Sequence, residues 1–502
     1  MDLSDSVLLV TQATRHSRFA RDLTLVHLSK TRVYASGTPS CAVLQVASFL
    51  RTNSWIGPDS LNLRLDPHAI SRNKAVAKIE FTPGSVIAVA QPLTTALLPV
   101  EKEQRCDLCH NRPQHNGRLL KCTGCASHWY CDVQCQGVAW KAHHRKICGS
   151  YSRFIASPAY VSLSVQDKMD SLLLSQLCVE IFPSDHLPHR PSPLAIFESL
   201  IPSKSPPQQL PPMLVRLNSP DARNRLQDLY SRFGNNNFVL HSHLVSFGHG
   251  IYPLASRLFN HSCVPNAAVR YSLMRGRPPS MEVIALRTIA ADEEVCIPYV
   301  DPALPFGDRE RALNIIYGFS CSCPLCHFQR AIAPLLSDRD ISPQNRQHLL
   351  EFTQCLTHVS HTHQDTLQDF SEIPASLHSL FHPSVLPRLA ESFSSKSHGP
   401  APESALHDGL ALLALYRLIY PPNYPQIGLH ALEAAKTAWN ALLSKESRES
   451  AYDKQLLELA IWYLGIARHI VGIVGKEGDA GGPLVEIDFL SELINKELST
   501  TA

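Results

Sequence analysis

Cysteine is the residue whose spacing carries the clearest chemical information in this chain of 502 residues. Seven of the 15 cysteines fall between positions 106 and 148, and three lie between 321 and 326. One more, Cys263, stands between these groups in the loop-forming run RLFNHSCVPNA. Clustered thiolates in a reducing compartment bind metal ions, so both clusters predict metal sites. The isolated cysteines are predicted to be small buried hydrophobes: Cys41, Cys178, Cys296 and Cys355.

The first cluster supplies eight metal ligands in four pairs. The pairs are Cys106 and Cys109, Cys122 and Cys125, Cys131 and Cys135, and His144 and Cys148. Eight ligands are enough for two closed, tetrahedral zinc sites. A segment of 43 residues buries little core, so each metal must contribute folding free energy, on the order of 10 kcal/mol. Spacing alone does not fix which pairs share an ion, and it leaves His143 as an alternative to His144.

The second cluster is one ligand short of a complete site. Cys321, Cys323 and Cys326 bring three thiolates close together, and structural zinc takes four ligands. We expect Cys263, which lies 58 positions before Cys321, to be the fourth ligand. The alternative is that Cys263 is a nucleophile activated by His261, although closeness in sequence is no evidence for a hydrogen bond between them.

Composition and length describe a folded protein of several domains. Hydrophobic residues make up 44% of the chain, charged residues 18%, and the net charge is +2, which excludes a strong electrostatic pull toward nucleic acid or anionic membranes. The apolar segment 459–475 carries Arg468 and His469 and is predicted to be an amphipathic helix. Asp2 and Asp5 argue against a secretory leader, so we expect a protein of the nucleus or cytoplasm.

Hydrophobic periodicity predicts the elements that hold these residues. Short strands are expected on either side of Pro83-Gly84 and again over 236–300, with a helix over 165–182 and a proline-rich loop over 183–221. After the second cysteine cluster, helical spacing of apolar residues predicts an antiparallel array of helices over 404–420, 426–443 and 454–475.

Several motifs together resemble the SET and MYND family of protein-lysine methyltransferases. The first cysteine cluster, with its ending WKAHHRKIC, is similar to the MYND zinc finger. NHSC at 260–263, YVD at 299–301 and YGFSCSC at 317–323 are similar to the SET domain and its post-SET zinc site. The resemblance implies an α+β multidomain fold: a SET β-fold of short strands split by an inserted MYND finger, a post-SET zinc site and an all-α, TPR-like C-terminal domain.

The resemblance also divides the chain. The implied divisions are an unassigned segment 1–66, the SET N-terminal part 67–105, the MYND finger 106–148, a helical and proline-rich insert 149–232, the SET core 233–305, the post-SET segment 306–330 and the helical C-terminal domain 331–502.

By this resemblance the protein moves a methyl group from S-adenosylmethionine to a lysine of a histone tail or another protein, and it is a monomer that binds neither nucleic acid nor membranes directly. The family's ligation is interleaved, with one ion on Cys106, Cys109, Cys131 and Cys135 and the other on Cys122, Cys125, His144 and Cys148. Tyr299 and Tyr317 match the catalytic-channel tyrosines. The implied cofactor contacts are Asn73, Asn236, Asn260, His261, Tyr299 and Phe319. The MYND finger implies binding of peptides, often proline-rich ones, and the alternative is a purely structural role.

One departure from the family pattern bears on activity. The family opens its SET domain with a Gly-x-Gly turn that lets the backbone approach the cofactor. This chain has Arg72 and Lys74 in place of the glycines, with Asn73 between them. The departure favours an alternative function, that of a weak or inactive methyltransferase acting as a zinc-stabilised interaction or transcriptional-repression adaptor. The motif residues at 260–263, 299 and 317 favour the enzyme.

Overall fold

The computed structural model describes residues 61–69, 71–113, 117–181, 193–217, 219–336, 370, 373–399, 402–444, 450–478 and 482–501. Of the unassigned segment 1–66, residues 1–60 lie outside the described residues, whereas Leu63 begins the first strand. Two of the isolated cysteines, Cys41 and Cys355, also lie outside them. The α+β class predicted from the sequence is confirmed, because small sheets of short strands are combined with a helical C-terminal region.

The described strands are short and assemble into small sheets. They are β1 (Leu63–His68), β2 (Arg72–Ala77), β3 (Val86–Ala90), β4 (Thr94–Leu97), β5 (Leu120–Lys121), β6 (Trp129–Tyr130), β7 (Asn237–Ser242), β8 (Val245–Ile251), β9 (Asn260–His261), β10 (Ala267–Ser272), β11 (Ser280–Ala285) and β12 (Cys296–Ile297). Antiparallel pairing joins β1 to β2, β5 to β6, β3 and β10 to β11, and β4 and β7 to β8. The short strands β9 and β12 are parallel.

The strands flanking Pro83-Gly84 form as predicted but do not pair with each other. β2 joins β1, while β3 joins β11. Between β2 and β3, Phe81 forms an isolated antiparallel bridge with Ile289, so the connecting segment pairs with a distant part of the chain. Gly84 then turns with a φ of 83°, a conformation that favours glycine. Strand β3 buries Ile87, Ala88 and Ala90 in the core and exposes Val86 and Val89.

The described helices carry most of the chain after residue 300. They are α1 (Val133–Ala139), α2 (Arg145–Ile155), α3 (Pro158–Val161), α4 (Val165–Ile181), α5 (Pro193–Ser199), α6 (Pro220–Tyr230), α7 (Phe233–Asn236), α8 (Pro253–Leu258), α9 (Phe306–Ala312), α10 (Pro324–Ile332), α11 (Val385–Ser397), α12 (Glu403–Ile419), α13 (Pro425–Leu443), α14 (Ser450–Val474) and α15 (Pro483–Thr501). Single π-helical turns extend α1 over Trp140–His144 and α9 over Leu313–Tyr317. Helix α4 and the array α12–α14 confirm the helical predictions.

The segment 183–221 is not simply the predicted loop. Helix α5 lies within it and packs against α8, and α6 starts at its end with Pro220 in the first turn, where the missing N–H removes no helical hydrogen bond. Residues 182–192 and 218 lie outside the described residues. The insert shares one hydrophobic core with the cysteine-rich segment, because Leu172, Leu173 and Leu177 of α4 pack in the same cluster as its thiols.

The C-terminal helices form a second, mostly apolar core. Helices α13 and α14 pack along each other, and α15 returns against both. The stretch Ala451–Val474 is long and apolar enough to cross a membrane by length and composition, but half of that window is buried in the fold. Its Arg468 faces outward and pairs with Asp488 of α15 at 2.8 Å, which agrees with the predicted amphipathic helix.

Candidate functional site

Residues 106–148 bring their eight predicted ligands together in two groups of four. One group holds Cys106, Cys109, Cys131 and Cys135, and the other holds Cys122, Cys125, His144 and Cys148. The ligand atoms of each group lie within 4.8 Å of one another. His143 joins neither group, since its Nδ1 lies 3.5 Å from a carboxylate oxygen of Glu180.

Local secondary structure explains how the ligand pairs are positioned within the two groups. Asp132 caps α1 by accepting a hydrogen bond from the Cys135 backbone N–H at 2.8 Å, so this helix begins between Cys131 and Cys135. The π-helical turn and α2 place His144 and Cys148 on one face, and His144 is fully buried. The short β5–β6 hairpin joins the two groups.

The third group is made of Cys263 with Cys321, Cys323 and Cys326, again within 4.8 Å of one another. Cys263 and Cys326 are fully buried, and their sulfur atoms are 3.5 Å apart. Cys263 is therefore placed beside the second cysteine cluster, as expected from its sequence context. Helix α10 begins directly after Cys323 and carries Cys326 in its first turn.

The interatomic distances within these groups match metal ligation rather than disulfide bonding. In the first two groups, the sulfur atoms of Cys109 and Cys131 are 3.6 Å apart, and those of Cys122 and Cys148 are 3.8 Å apart. A Zn–S bond of about 2.3 Å in a tetrahedron separates two sulfurs by about 3.8 Å. A disulfide would need about 2 Å. The donor set and its spacing therefore fit zinc.

A buried arginine lies against the third group. Arg309 is fully buried, and its Nη2 donates to Cys326 Sγ at 3.7 Å and to the Gln329 side chain. Its Nη1 donates to the carbonyl oxygens of Pro302, at 2.9 Å, and Leu304, at 2.5 Å. Four thiolates around a divalent ion leave a net negative charge, which this guanidinium offsets in a medium of low dielectric.

His261 connects the third group to the strand pair β9–β12. Its Nδ1 accepts a hydrogen bond from the Tyr299 backbone N–H at 2.9 Å, which leaves the ring proton on Nε2. That Nε2 lies 3.2 Å from Cys263 Sγ. Both ring nitrogens are thus engaged within the protein, so a bound molecule would meet the backbone or the ring face of His261.

Tyr299 follows β12 and faces an aromatic neighbour across a narrow space. Its ring centroid lies 4.8 Å from that of Tyr317 and 5.4 Å from that of His261. Its hydroxyl donates to the Phe259 carbonyl oxygen at 2.7 Å, which fixes the oxygen while leaving its lone pairs available. Burial raises the pKa of Tyr299 well above its ordinary value and raises that of Tyr317 to about 12.

Gly318 brings the third aromatic ring back to this group. The π-helical turn ends at Tyr317, and Gly318 has a φ of 79°, the left-handed conformation that favours glycine. The chain reverses there, so that Phe319 lies 6.4 Å from Tyr317 and 6.0 Å from His261 between ring centroids. The structure therefore gathers Tyr299, Tyr317, Phe319 and His261 in one cluster.

Asn73 and Asn260 meet beside this cluster. Asn260 Nδ2 donates to the Asn73 carbonyl oxygen at 3.1 Å and to Glu294 Oε1 at 2.8 Å. The Asn73 side-chain oxygen accepts from Arg257 Nη2 at 2.8 Å. Two of the predicted cofactor contacts, Asn73 and Asn260, are thus hydrogen-bonded to each other. Arg257 bonds to Asn73, and Glu294 bonds to Asn260.

The backbone at Arg72, where this chain departs from the Gly-x-Gly pattern, has a conformation that favours glycine. Arg72 has a φ of 68°, so it occupies the left-handed region even though it carries a side chain. Its Nη1 donates to the Ser199 carbonyl oxygen at the end of α5, at 3.1 Å, which carries the side chain away along that helix. Arg72 therefore holds the backbone conformation that glycine would adopt freely at this position.

Asn236 stands apart from the other predicted cofactor contacts. It is buried at the end of α7, where its Nδ2 donates to the Arg232 carbonyl oxygen and to Asn235 Oδ1, both at 2.9 Å. Helix α7 packs against the π-helical turn that ends at Tyr317. Asn236 is thus connected to the aromatic cluster only through the packing of α7, because its side-chain N–H groups bond to Arg232 and Asn235.

The C-terminal domain also holds this region in place. Tyr420, which follows α12, donates its hydroxyl to Asp301 Oδ1 at 3.0 Å, and the same oxygen accepts from the Ala303 N–H at 2.9 Å. Tyr424 stacks on Tyr420 with ring centroids 4.5 Å apart. Asp301 is only two residues from Tyr299, so the two tyrosines tie the helical domain to the aromatic cluster.

Sequence reasoning did not single out several residues that contribute to the site: Arg257, Glu294, Asp301, Arg309 and Tyr420. A local signal existed for Arg257, which begins the run RLFNHSCVPNA, and for Glu294 and Asp301, which lie within the run EEVCIPYVD. Arg309 and Tyr420 lie outside these runs, and no local pattern reveals their contacts.

Comparisons with known proteins find relatives of this sequence. A family model for the SET domain matches residues 75–300. Histone-lysine N-methyltransferase ASHR1 of Arabidopsis thaliana is 27% identical over 266 residues, which cover 49% of this chain and 51% of that protein. Histone-lysine N-methyltransferase SMYD3 of Mus musculus is 23% identical over 393 residues, covering 72% and 84%. N-lysine methyltransferase SMYD2-B of Xenopus laevis is 27% identical over 276 residues, covering 52% and 60%. The matched part is thus about half the length of the plant relative and over four fifths of the mouse relative.

The Tyr420–Asp301 hydrogen bond makes a prediction about stability. Burial raises the pKa of the Asp301 carboxyl, and the Ala303 N–H and the Tyr420 hydroxyl oppose that rise. We expect Tyr420→Phe to lower the free energy of unfolding by about 1–3 kcal/mol at pH 7.5, because the substitution removes a donor from a buried carboxylate. Denaturant unfolding of the zinc-loaded protein measures the change.

Tyr424→Phe is the matched control, because it removes a hydroxyl from the stacked partner while keeping both rings. It should change stability by less than about 1 kcal/mol. Equal losses from the two variants would contradict a specific role for the Asp301 contact.

Proposed function

The chain belongs to the SET and MYND family of lysine methyltransferases, and from that premise we propose that it transfers a methyl group from S-adenosylmethionine to the side-chain amine of a lysine in a protein. The observation that carries the proposal is the placement of Tyr299, whose hydroxyl is fixed by the Phe259 carbonyl oxygen and whose ring faces Tyr317 at 4.8 Å. These two rings form the walls of the lysine channel.

We assign zinc to the three groups of four ligands. The support is the donor set, the burial of most of its sulfurs and the sulfur–sulfur distances of 3.5–3.8 Å. Each group is complete with protein ligands, so these ions stabilise the fold and have no open position for chemistry. The first two hold residues 106–148, and the third holds Cys263 against the segment that follows Tyr317.

The cofactor site is proposed around the Asn73–Asn260 contact and the adjoining aromatic ring of Phe319. Asn73, Asn260 and the backbone of His261 would hold the polar end of S-adenosylmethionine, while Phe319 would pack against its adenine. Asn236 would complete the wall from α7. The fit is supported by the cluster of polar and aromatic groups that meet at 2.8–3.1 Å and 6.0–6.5 Å around β9. When bound, the cofactor supplies an electrophilic methyl group on a sulfonium.

The channel must first make the acceptor amine nucleophilic. A lysine ammonium in water has a pKa of about 10.4, so almost all of it is protonated at neutral pH. Burial between the rings of Tyr299 and Tyr317 removes water from the ammonium and lowers its pKa. The channel thereby favours the neutral amine that can attack.

Tyr299 then orients the amine. Its hydroxyl proton is committed to the Phe259 carbonyl oxygen, so the oxygen can only accept a hydrogen bond from the amine. When the amine donates an N–H to the Tyr299 oxygen, the direction of the nitrogen lone pair is fixed. Alignment of that lone pair with the methyl group is a positioning effect, which is a large source of rate in such displacements.

The retained backbone at Arg72 supports an active enzyme over the inactive adaptor. A φ of 68° preserves the turn that brings Asn73 against Asn260, at a conformational cost of about 1–2 kcal/mol for a residue that is not glycine. A vestigial site would have no need to keep this strained turn.

Protein substrates and location follow from the same proposal. The substrate is a lysine-bearing histone tail or another protein, and the enzyme acts as a monomer in the nucleus or cytoplasm. Clustered thiolate ligands support a reducing compartment, because oxidising conditions would convert them to disulfides.

A groove on the zinc module supports a second role in binding peptides. A depression of about 420 Å³ is lined by Cys122, Thr123, Gly124, Val133, Gln136, Gly137, Trp140 and Cys148. Val133 is 76% exposed and Trp140 is 40% exposed, so both present apolar surface at this depression. An exposed tryptophan beside apolar and amide groups suits a proline-rich segment. We propose this groove as a recruiting site that works alongside the catalytic domain.

Zinc content tests the ligand assignment. Purified protein should contain three zinc ions per chain, and Cys321→Ser should contain two with a lower melting temperature, because the third group loses a ligand. Mass spectrometry under native conditions counts the ions. Cys178→Ser, a buried thiol outside the three groups, should keep three; a count of three in Cys321→Ser would rule out the third site.

Methyl transfer tests the function. Tyr299→Phe should lower the rate at least 100-fold in an assay with tritiated S-adenosylmethionine, core histones and an array of lysine peptides, since the oriented acceptor oxygen is lost. Tyr252→Phe is the control, because its hydroxyl also donates to a backbone carbonyl oxygen, that of Pro279 at 2.9 Å, outside the site. Unchanged activity in Tyr299→Phe would exclude this channel.

The tyrosine pKa values predict the pH dependence. Both stay neutral below pH 10, because burial raises the pKa of Tyr317 to about 12 and that of Tyr299 further. The acceptor amine loses its proton as the pH rises, so kcat/KM should climb tenfold per pH unit from pH 7 to 9 and show no fall before pH 10. Initial rates on a lysine peptide that the enzyme methylates measure the pH profile. A fall in kcat/KM centred below pH 9.5 would contradict neutral tyrosines.

A further inference from the structure

The ligands of the three metal groups differ in how far solvent reaches them. Cys131 of the first group and Cys323 of the third group are half-buried, and the other ligands are buried. The second group therefore has no ligand that solvent reaches directly. Cysteines that react with oxidants are partly exposed, whereas buried structural thiols are inert. An oxidant can thus attack the first group at Cys131 and the third group at Cys323.

The two half-buried thiols lie in different electrostatic surroundings. Cys323 is the N-cap residue of α10, a helix of nine residues, so it lies at the positive end of that helix. At α1 the N-cap is Asp132, so Cys131 lies outside that helix and next to a carboxylate. Reactive cysteines lie beside positive charge, at helix N-termini or next to basic side chains. Cys323 therefore combines exposure with positive charge, and Cys131 does not.

On its buried side the third group is closed to attack. Arg309 Nη2 donates to Cys326 Sγ at 3.7 Å, and His261 Nε2 lies 3.2 Å from Cys263 Sγ. Arg309 is fully buried, and no carboxylate among the described residues forms an ion pair with it, so its charge acts on these sulfurs. A hydrogen bond donated to a thiolate lowers its nucleophilicity, because it stabilises the charge on sulfur. These contacts protect Cys263 and Cys326 and leave Cys323 as the point of attack.

We propose that Cys323 is an oxidation site, and that hydrogen peroxide reacting there dismantles the third metal group and with it the lysine channel. The inference rests on the zinc assignment and the methyltransferase activity proposed above, and it adds a means of regulation. In the first step the Cys323 thiolate attacks one peroxide oxygen. An S–O bond forms, the O–O bond breaks and hydroxide leaves, so the sulfur loses two electrons and becomes a sulfenic acid.

A neighbouring thiolate completes the reaction. The sulfur atoms of Cys263, Cys321 and Cys326 all lie within 4.8 Å of Cys323 Sγ. When one of them attacks the sulfenic sulfur, an S–S bond forms, the S–O bond breaks and a second hydroxide leaves. The two thiolates have then supplied the two electrons that reduce the peroxide. A disulfide with two remaining thiolates no longer makes a four-ligand zinc site, so the segments around Asn260 and Tyr317 are released from each other.

Zinc release under peroxide tests the proposal without an activity assay. The zinc-loaded protein is mixed with a small molar excess of hydrogen peroxide, and 4-(2-pyridylazo)resorcinol reports the free zinc. Samples taken over time are denatured and alkylated with N-ethylmaleimide, and peptide mass spectrometry then shows which thiols remain. One zinc ion per chain should leave at least about tenfold faster than the others, and Cys323 should be the first ligand to lose its label.

Two histidine substitutions separate Cys323 from Cys131. Histidine is also a zinc ligand, and it cannot form a sulfenic acid, so Cys323→His keeps a complete set of four ligands. This variant should hold as many zinc ions as the unsubstituted protein by native mass spectrometry, and it should lose the fast release. Cys131→His, the matched control, should keep the fast release. In the oxidised unsubstituted protein, dithiothreitol with added zinc should restore the zinc content, because disulfide formation is reversible.

Several outcomes would overturn the inference and leave the methyltransferase proposal intact. The inference is wrong if the fast release persists in Cys323→His, if Cys131 loses its label first, or if all the zinc ions leave at one rate. If Cys323→His fails to hold the third ion, the order of label loss in the unsubstituted protein decides the question.

Cofactor binding separates the inference from the proposed function. S-adenosylhomocysteine is titrated into the protein in a calorimeter before oxidation, after oxidation, and after reduction with zinc. Binding that oxidation abolishes and reduction restores supports both proposals. If the reduced, zinc-loaded protein does not bind the ligand at millimolar concentration, the methyltransferase proposal fails, and the oxidation site stands on the zinc release and the labelling alone. If binding survives loss of the fast zinc ion, the channel does not depend on Cys323, which overturns the inference.

Discussion

The cysteine group that Cys263 completes is the constraint on which the site depends. Cys263 lies three residues after Asn260, and Cys321 lies four residues after Tyr317, so the sulfurs hold two distant segments together. His261 adds a second tie, because its two ring nitrogens contact the Tyr299 backbone and the Cys263 sulfur. The aromatic channel exists only where these segments meet. The adjacent guanidinium of Arg309 offsets the negative charge that four thiolates bring into the interior.

Neighbouring regions stabilise the same junction from outside. The helical region reaches Asp301 through Tyr420. On the other side, α5 of the insert contacts Arg72, and α7, which follows the insert, contacts the π-helical turn that ends at Tyr317. The channel is therefore walled by three parts of the chain. The resulting burial raises the pKa of both Tyr299 and Tyr317, so that the two hydroxyls stay neutral. The cysteine-rich segment 106–148 shares a core with the insert, so the zinc ions proposed there would also stabilise the insert.

The sequence predicts much of the site because metal ligation leaves a local signature. CxxC and three-residue spacings name the ligands, and ligand counting assigns Cys263, although the division of the first eight ligands came from resemblance. Helical periodicity predicts α12–α14 for the same reason. Strand pairing was harder, since β2 and β3 find partners far along the chain. Arg257, Arg309 and Tyr420 escaped notice because their roles depend on contacts over 17 to 184 positions.

Hydrogen–deuterium exchange tests most directly whether the third metal group organises the site. Amide exchange is compared between the unsubstituted protein and Cys321→Ser, both loaded with zinc. Loss of the third ion should speed exchange at least tenfold over 259–263 and 296–300, while 120–139 in the zinc module stays protected, since its two groups are separate. Equal protection of 259–263 and 296–300 in both proteins would contradict the account, because β9 and β12 would then hold the channel without the metal.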